Sequence, residues 1–308
     1  KNAPDDAPFF YVKIYYTTHE SRIWLRKDKP ITVDPDKVPV PDYYPDIPIV
    51  RSDIARKYSN IEALDKEVGE LLEQLKADGV FNNSIIFFWS DHGGNLLRQK
   101  RAVGDSGLHV PLIVRYPDGY RAGETENRLV SLMDLGPTVM SLIGINPPDY
   151  MDGKAFAGDF EQSPRQYIYG SADRFDECTD MQRSVLDGRY VYIKNFMSEL
   201  PLIYRNKYRE QIPMNKHLIE LDSLNRLEGN AAYIFMKSKP NEELYDLEND
   251  PHEVYNLADN PKYEFKLQEL RTQLGQWQEA IDDKGFVPES ELIKSFWPNM
   301  KQPSTAKV

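Results

Sequence analysis

One cysteine, Cys178, stands among 308 residues. That excludes an internal disulfide framework and a thiolate-rich metal site. Histidine is scarce as well, at five. No apolar run approaches the roughly 18 residues a membrane helix needs. The opening "KNAPDDAPFF" has neither a basic n-region nor an apolar h-region, so no signal peptide is visible in it. Bases are outnumbered, 38 Lys and Arg against 49 Asp and Glu, for a formal net charge of −11. Such a chain is not expected to coat nucleic acid or anionic membranes non-specifically. It can hold an anion only where its few bases are clustered.

The chain is long enough for one large domain or a large and a small one. "APFFYVKIYY" (7–16) is rich in aromatic and β-branched residues and reads as a strand. "KDKPITVDPDKVPVPDYYPDIP" follows, and its six prolines predict a long, mostly irregular surface excursion. Ile54, Tyr58, Ile61, Leu64, Val68, Leu71 and Leu75 recur at helical steps, so 52–77 is an amphipathic helix. Ser52 or Asp53 is placed to cap its start, and Gly79 follows its end.

The runs 84–90 and 109–116 read as strands covered on both faces, and 129–145 as a second helix. This alternation argues α/β with a mostly parallel sheet flanked by helices over 1–152. After Asp152 the texture changes. "RQYIYG", "QRSVLDGRYVYIKNF" with a tight turn at Asp187-Gly188, and "EELYDL" are strands, and "KYEFKLQELRTQLGQWQEAI" is a closing helix. Residues 153–308 therefore read as a smaller antiparallel sheet with a helix.

The chemistry concentrates in "FFWSDHGGNLLRQKRAVGDSGLHVPLIVRYP". In open α/β sheets ligands bind beyond the carboxyl ends of strands, and Asp91-His92 sits at such an end. Gly93-Gly94 lets the backbone turn sharply and approach a ligand. A carboxylate suits a hard divalent cation, and a neutral imidazole can join it. Lys100, with Arg98 and Arg101 beside it, is suited to the oxygens of a phosphate or sulfate group. The tripeptide alone is equally a turn whose Asp caps backbone amides; the strand before it and the bases after it favour a site. His19 stands at the end of its own strand, as a general acid or base, with an ordinary pKa near ~6.5, or as a loop histidine. His109 opens an apolar strand and is structural or touches substrate. His217 and His252 lie in polar loops and take no assigned role.

That segment resembles the metal- and sulfate-binding stretch of type I sulfatases, in the alkaline phosphatase superfamily: an apolar strand, "SDHG" or "SDNG", a lysine further on, then "G-x-(R/H)-V-P-L-I-V". Three more stretches agree in order. "APFFYVKIYYTTHESR" resembles the segment ending in the family's catalytic histidine, and "LVSLMDLGPTVMSLIGI" its "D-L-x-P-T" helix. "EELYDLENDPHEVYNLADNP" is similar to its C-terminal "E-L-Y-D-L-x-x-D-P" stretch.

The resemblance implies an alkaline-phosphatase-like fold and hydrolysis of sulfate esters on a sulfated sugar or polysaccharide. It implies a hydrated formylglycine attacking sulfur, with Ca2+ as the expected metal. By position, Asp91 and His92 would be metal ligands, Lys100 would bind the transferring sulfate, and His19 would have the acid–base role. "GSADRFDECTDMQRSVLDGRYVYIKN" is similar to a stretch bordering the active-site mouth. Arg174, Asp176 and Arg183 there, with Arg98 and His109, are substrate-binding candidates or, equally, a salt-bridge network. The family's usual place is the periplasm or outside the cell.

One departure is large. The motif "(C/S)-x-P-x-R", which supplies the formylglycine, is absent. Cys178 lies in "ECTDMQR", without the proline, and "SKPNE" from Ser238 ends in Glu242 where arginine is needed. Asp5-Asp6 precedes a strand instead of closing one and reads as loop. The chain is similar to the C-terminal two-thirds of a sulfatase, with no nucleophile of its own and the missing N-terminal part as its expected partner. On its own it is expected to show uncovered apolar faces. Two other readings stand beside this one. One is a phosphodiesterase or phosphonate monoester hydrolase of the same superfamily. The other is a non-catalytic subunit binding anionic glycans.

Overall fold

A computed structural model describes residues 7–297 and 299; Asp5 and Asp6 lie outside the described residues. The regular elements include helix α1 (Pro48–Ala77), strands β1 (Ile86–Trp89) and β2 (Leu112–Arg115), and helix α2 (Leu135–Leu142). Strands β3 (Ile168–Phe175), β4 (Cys178–Leu186) and β5 (Tyr190–Asn195), helix α3 (Pro213–Ser223), strand β6 (Glu242–Asp246) and helix α4 (Glu264–Ala280) follow. The class is mixed α/β with a second, antiparallel sheet and a helix upon it, as expected.

Helix α1 starts earlier than its apolar stripe suggests, because Pro48 occupies its first position. There the missing N–H costs nothing and the fixed φ is already helical. Asp53 does not cap this helix. It is buried, and its Oδ2 accepts the Met214 N–H at 2.7 Å in the first turn of α3. The proline-rich stretch before α1 is irregular and mostly at the surface, as expected, but three of its side chains anchor it to the core. Val38, Tyr43 and Tyr44 are buried in the largest apolar cluster with Ile54, Leu96 and Leu218. Ser59 Oγ accepts the Thr32 and Val33 N–H groups, and Arg56 donates to the Lys29 and Pro30 carbonyls. Prolines prevent ladder pairing, but the Val and Tyr side chains between them still need cover.

The two-stranded sheet departs from the expected parallel pairing. β1 and β2 are antiparallel, Ile86 opposite Arg115 and Trp89 opposite Leu112. They are joined through a loop that turns the chain back, and a parallel pair needs a crossover instead. Neither strand is covered on both faces: Ile113 is 60% exposed. Residues 7–16 form no strand, and Phe10 is 78% exposed. Strand propensity needs a partner edge to become a strand.

The second sheet is complete, in the order β3-β4-β5-β6, antiparallel throughout. Asp187 Oδ1 accepts the Arg189 and Tyr190 N–H groups and fixes the β4–β5 turn. Leu267, Leu270 and Leu274 of α4 close over Val185, Tyr192 and Leu244. The largest cluster draws on both sides of position 152: Ile212, Met214 and Ile234 pack with Ile23 and Val50. Among the described residues no helix is long and apolar enough to cross a membrane.

Candidate active site

The loop after β1 folds back on itself through its glycines. Gly93 N–H donates to the Gly107 carbonyl and Lys100 N–H to the Gly94 carbonyl, both at 2.8 Å. A Cβ on Gly93 would stand 2.1 Å from the Ser106 carbonyl oxygen, and one on Gly107 2.2 Å from that of Ala102. Backbone therefore packs on backbone, and no side chain fits at either position. Asn95 donates to the Thr18 carbonyl at 3.0 Å, which ties this loop to the segment carrying His19.

Asp91 is 86% exposed at the mouth of the loop, 3.7 Å from His92 Nε2. His92 Nδ1 lies 2.9 Å from the Gly93 carbonyl. A carbonyl can only accept, so that contact puts the proton on Nδ1 and leaves the Nε2 lone pair on the side of Asp91. The pair is chemically suited to a divalent cation. It offers one carboxylate and one imidazole, against the ~6–8 oxygens calcium takes. Among the described residues no three His, Cys, Asp or Glu side chains gather as a metal cluster. The pair therefore fits a cation as part of a ligand set that other groups complete.

His19 is half-buried, and its Nδ1 accepts the Ser21 N–H at 3.3 Å and lies 2.9 Å from Ser21 Oγ. Nε2 then carries the proton. Burial, and next the charge of Lys100, push its pKa below the ordinary value, so the ring is neutral near pH 7. Asn95 of the loop holds the Thr18 carbonyl and Lys100 meets Glu20, on either side of His19 in the chain. His19, Lys100 and the Asp91-His92 pair thus share one neighbourhood.

Glu20, beside His19, is the residue that motif reading missed. It is 1% exposed and meets Lys100 Nζ at 3.1 Å, Arg101 at 3.2 Å and Arg209 at 3.5 Å. Burial alone would raise its pKa; Arg101 and Lys100 outweigh that, and the net shift is downward. Lys57 is a second omission: Nζ reaches the loop from α1 and donates to Gln99 Oε1 at 3.2 Å. Neither falls in a recognisable spacing, because both sites are assembled across the fold.

The other candidates disperse. Arg98 is buried and turned inward, donating to the His252 carbonyl at 2.7 Å and to that of Glu253, over the Tyr43 ring. His109 is exposed, and Asp105, 3.2 Å away, raises its pKa. Arg174 pairs with Glu289 at the surface. Arg183 is buried between Asp173 and Asp283, at 2.9 and 2.7 Å. Asp176 alone of that stretch reaches the site, through Arg101 Nε at 2.7 Å. Cys178 keeps a thiol whose pKa burial raises, which makes it a poor nucleophile.

The sulfatase family model matches residues 1–145. An ulvan-active sulfatase of Formosa agariphila is 39% identical over 96% of this chain and 56% of its own length. Human N-sulphoglucosamine sulphohydrolase is 28% identical over 96% of this chain and 65% of its own. The chain thus spans between 56% and 65% of the length of these curated relatives. Among solved structures, a 2-O GAG sulfatase superposes with a TM-score of 0.54 at 24% identity, over 77% of this chain and 44% of that one. With its strand-end Asp-His pair and its α/β architecture of alkaline-phosphatase type, the chain belongs to the sulfatase family.

Proposed function

We propose that the complete protein hydrolyses sulfate esters on a sulfated polysaccharide, and that this chain supplies part of the active site. The observation that carries the reading is that the glycine-closed loop bearing Asp91-His92 and Lys100 is tied, through Asn95 to Thr18 and Lys100 to Glu20, to the segment bearing His19. The nucleophile's oxygen bonds to sulfur as the S–O bond to the sugar breaks, the sugar oxygen takes a proton from His19 Nε2–H, and water completes the release of sulfate. Lys100 holds the sulfate oxygens and stabilises charge as it develops. Nε2–H of the neutral His19 donates a hydrogen bond to the leaving oxygen. Asp91 and His92 would hold a divalent cation, Ca2+ by preference, which when bound neutralises sulfate charge. The formylglycine nucleophile and the remaining metal ligands come from polypeptide outside this chain, which is its obligatory partner. Ulvan, the substrate named for the relative from Formosa, is the first polysaccharide to assay. The family's usual place, periplasmic or secreted, is the compartment that suits a polysaccharide substrate.

The test is sulfate release by the longer polypeptide that includes this chain. Lys100→Ala lowers turnover by about 10²–10³, the scale of losing one charge-stabilising group. Near-normal turnover removes Lys100 from the site. Salt-sensitive glycan binding with no sulfate release in the longer polypeptide would favour a binding subunit instead.

A further inference from the structure

Glu20 cannot touch substrate, being 1% exposed. Yet three cations converge on it: Lys100, Arg101 and Arg209. A carboxylate taken out of water at a cost of several kcal/mol is tolerated only where cations meet it. Here they come from two distant parts of the chain. Arg101 meets Glu20 through both terminal nitrogens and turns its Nε to Asp176, at the β3–β4 turn. Asn206 donates to the same Asp176 oxygen at 2.6 Å, and its own side-chain oxygen accepts the Arg209 N–H at 3.1 Å. The result is a ring of contacts, Glu20–Arg101–Asp176–Asn206–Arg209 and back to Glu20. Lys100 hangs from its one buried carboxylate with its side chain still 21% exposed.

Two physical consequences follow. A lysine carries ~2 kcal/mol of rotamer entropy on its flexible stem. An ion pair at a buried, immobile carboxylate fixes Nζ before any ligand arrives. The charge is also unbalanced, since three cations face the two carboxylates Glu20 and Asp176. One positive charge is left over, and Lys100 is the member of the cluster most open to solvent.

We propose that Glu20 is the positioning residue for Lys100, and that Asp176 and Asn206 link its cation cluster to the antiparallel subdomain. The inference rests on the sulfatase reading only for what Lys100 then holds. The placement of Nζ can be measured without turnover, so a failure here and a failure of that reading are told apart.

The experiment is trace acylation, with acetic anhydride, of the folded longer polypeptide that includes this chain, read lysine by lysine from peptide masses. Lys57, which bonds Gln99 in the same loop, is the internal reference. Glu20→Gln releases Lys100 and speeds its acylation roughly five- to tenfold relative to Lys57. Asp176→Asn, at the rim, frees Arg101 to share its whole fork with Glu20. Arg101 then takes a larger share of the Glu20 charge, which weakens the hold on Lys100 and speeds its acylation about twofold. Should Glu20→Gln unfold, Asp176→Asn carries the test alone. An unchanged Lys100 rate overturns the proposal. So does equal acceleration of Lys57, which would mean that Glu20 merely holds the loop together.

Discussion

The four-stranded sheet is built from less apolar strands than the two-stranded sheet of IFFW and LIVR, yet the two end in opposite conditions. In the first, Val185, Leu244 and Leu270 are wholly buried because helix α4 lies across the face. In the second, Trp89 and Ile113 remain exposed, and the aromatic segment 7–16 beside His19 pairs with nothing among the described residues. The difference lies in cover, not composition. Apolar strands become core only where another element meets their face. The closed region reaches the candidate site only at its edge, through Asp176, and the open one holds His19 and the Asp91-His92 pair.

The largest losses of stability are expected inside the closed region. Arg183→Ala would leave the buried Asp283 without a countercharge, held only by Gln278 and the Gly285 N–H, at a cost of up to about 3–5 kcal/mol by denaturant unfolding. Leu270→Ala in α4 removes a buried side chain and costs ~2–5 kcal/mol. Ile113→Ser in β2 should cost within ~0.5 kcal/mol in this chain, because no buried contact is lost. A loss at Ile113 comparable with that at Leu270 would show that β2 is covered in solution, and the contrast between the sheets would fall.

A smaller effect separates the two regions by pH. Arg183 holds the Asp283 pKa down from 3.8 to about 2. A depressed carboxylate stabilises the fold above its unfolded pKa, and that stability drains as pH falls from about 4 to 2. Glu253, packed by the site loop where it accepts the Asp105 N–H, goes the other way. Burial raises its pKa from 4.5 to about 7, against the pull of Arg98. Between those values the folded chain keeps a proton that the unfolded chain has released, so stability falls as pH rises from 4.5 to 7. Burial likewise raises Asp53 to about 6. Hydrogen exchange should show the β3–β4 region loosening below pH 4 and the loop at Glu253 loosening on going from pH 5 to 7.5. The same pH response in both regions would remove the distinction.

What could be read in advance follows the range over which each interaction acts. The β4–β5 hairpin was legible from Asp187-Gly188 and the alternation around it, and helix α1 from its stripe, since both depend on near neighbours. The Asp-His pair was legible as a strand-end motif. The state of residues 7–16 was not, because a strand is a property of two segments. Nor were the partners of the charged residues. Asp53 caps a helix that begins at residue 213, and Arg183 finds Asp283 a hundred residues away. Glu20 stood in plain view beside His19, but its cations at 100, 101 and 209 are gathered only by the fold.

The two arginines of the β3–β4 hairpin give the finest form of the comparison. Arg174 and Arg183 lie in one charged stretch, and their surroundings separate them. Arg183 is enclosed by two carboxylates inside the subdomain; Arg174 meets Glu289 at 3.3 Å on the surface, and both side chains are solvated. An exposed pair in high dielectric contributes ~0–1 kcal/mol and is screened further by salt. Arg174→Ala should therefore leave the unfolding midpoint within error at 0.5 M NaCl and lower it slightly at low salt. If the longer enzyme nonetheless loses affinity for a sulfated polysaccharide on this change, Arg174 touches substrate, and its solvated position serves binding. If neither stability nor affinity moves, the residue is surface, and of the three charges singled out in that hairpin only Asp176 bears on the site.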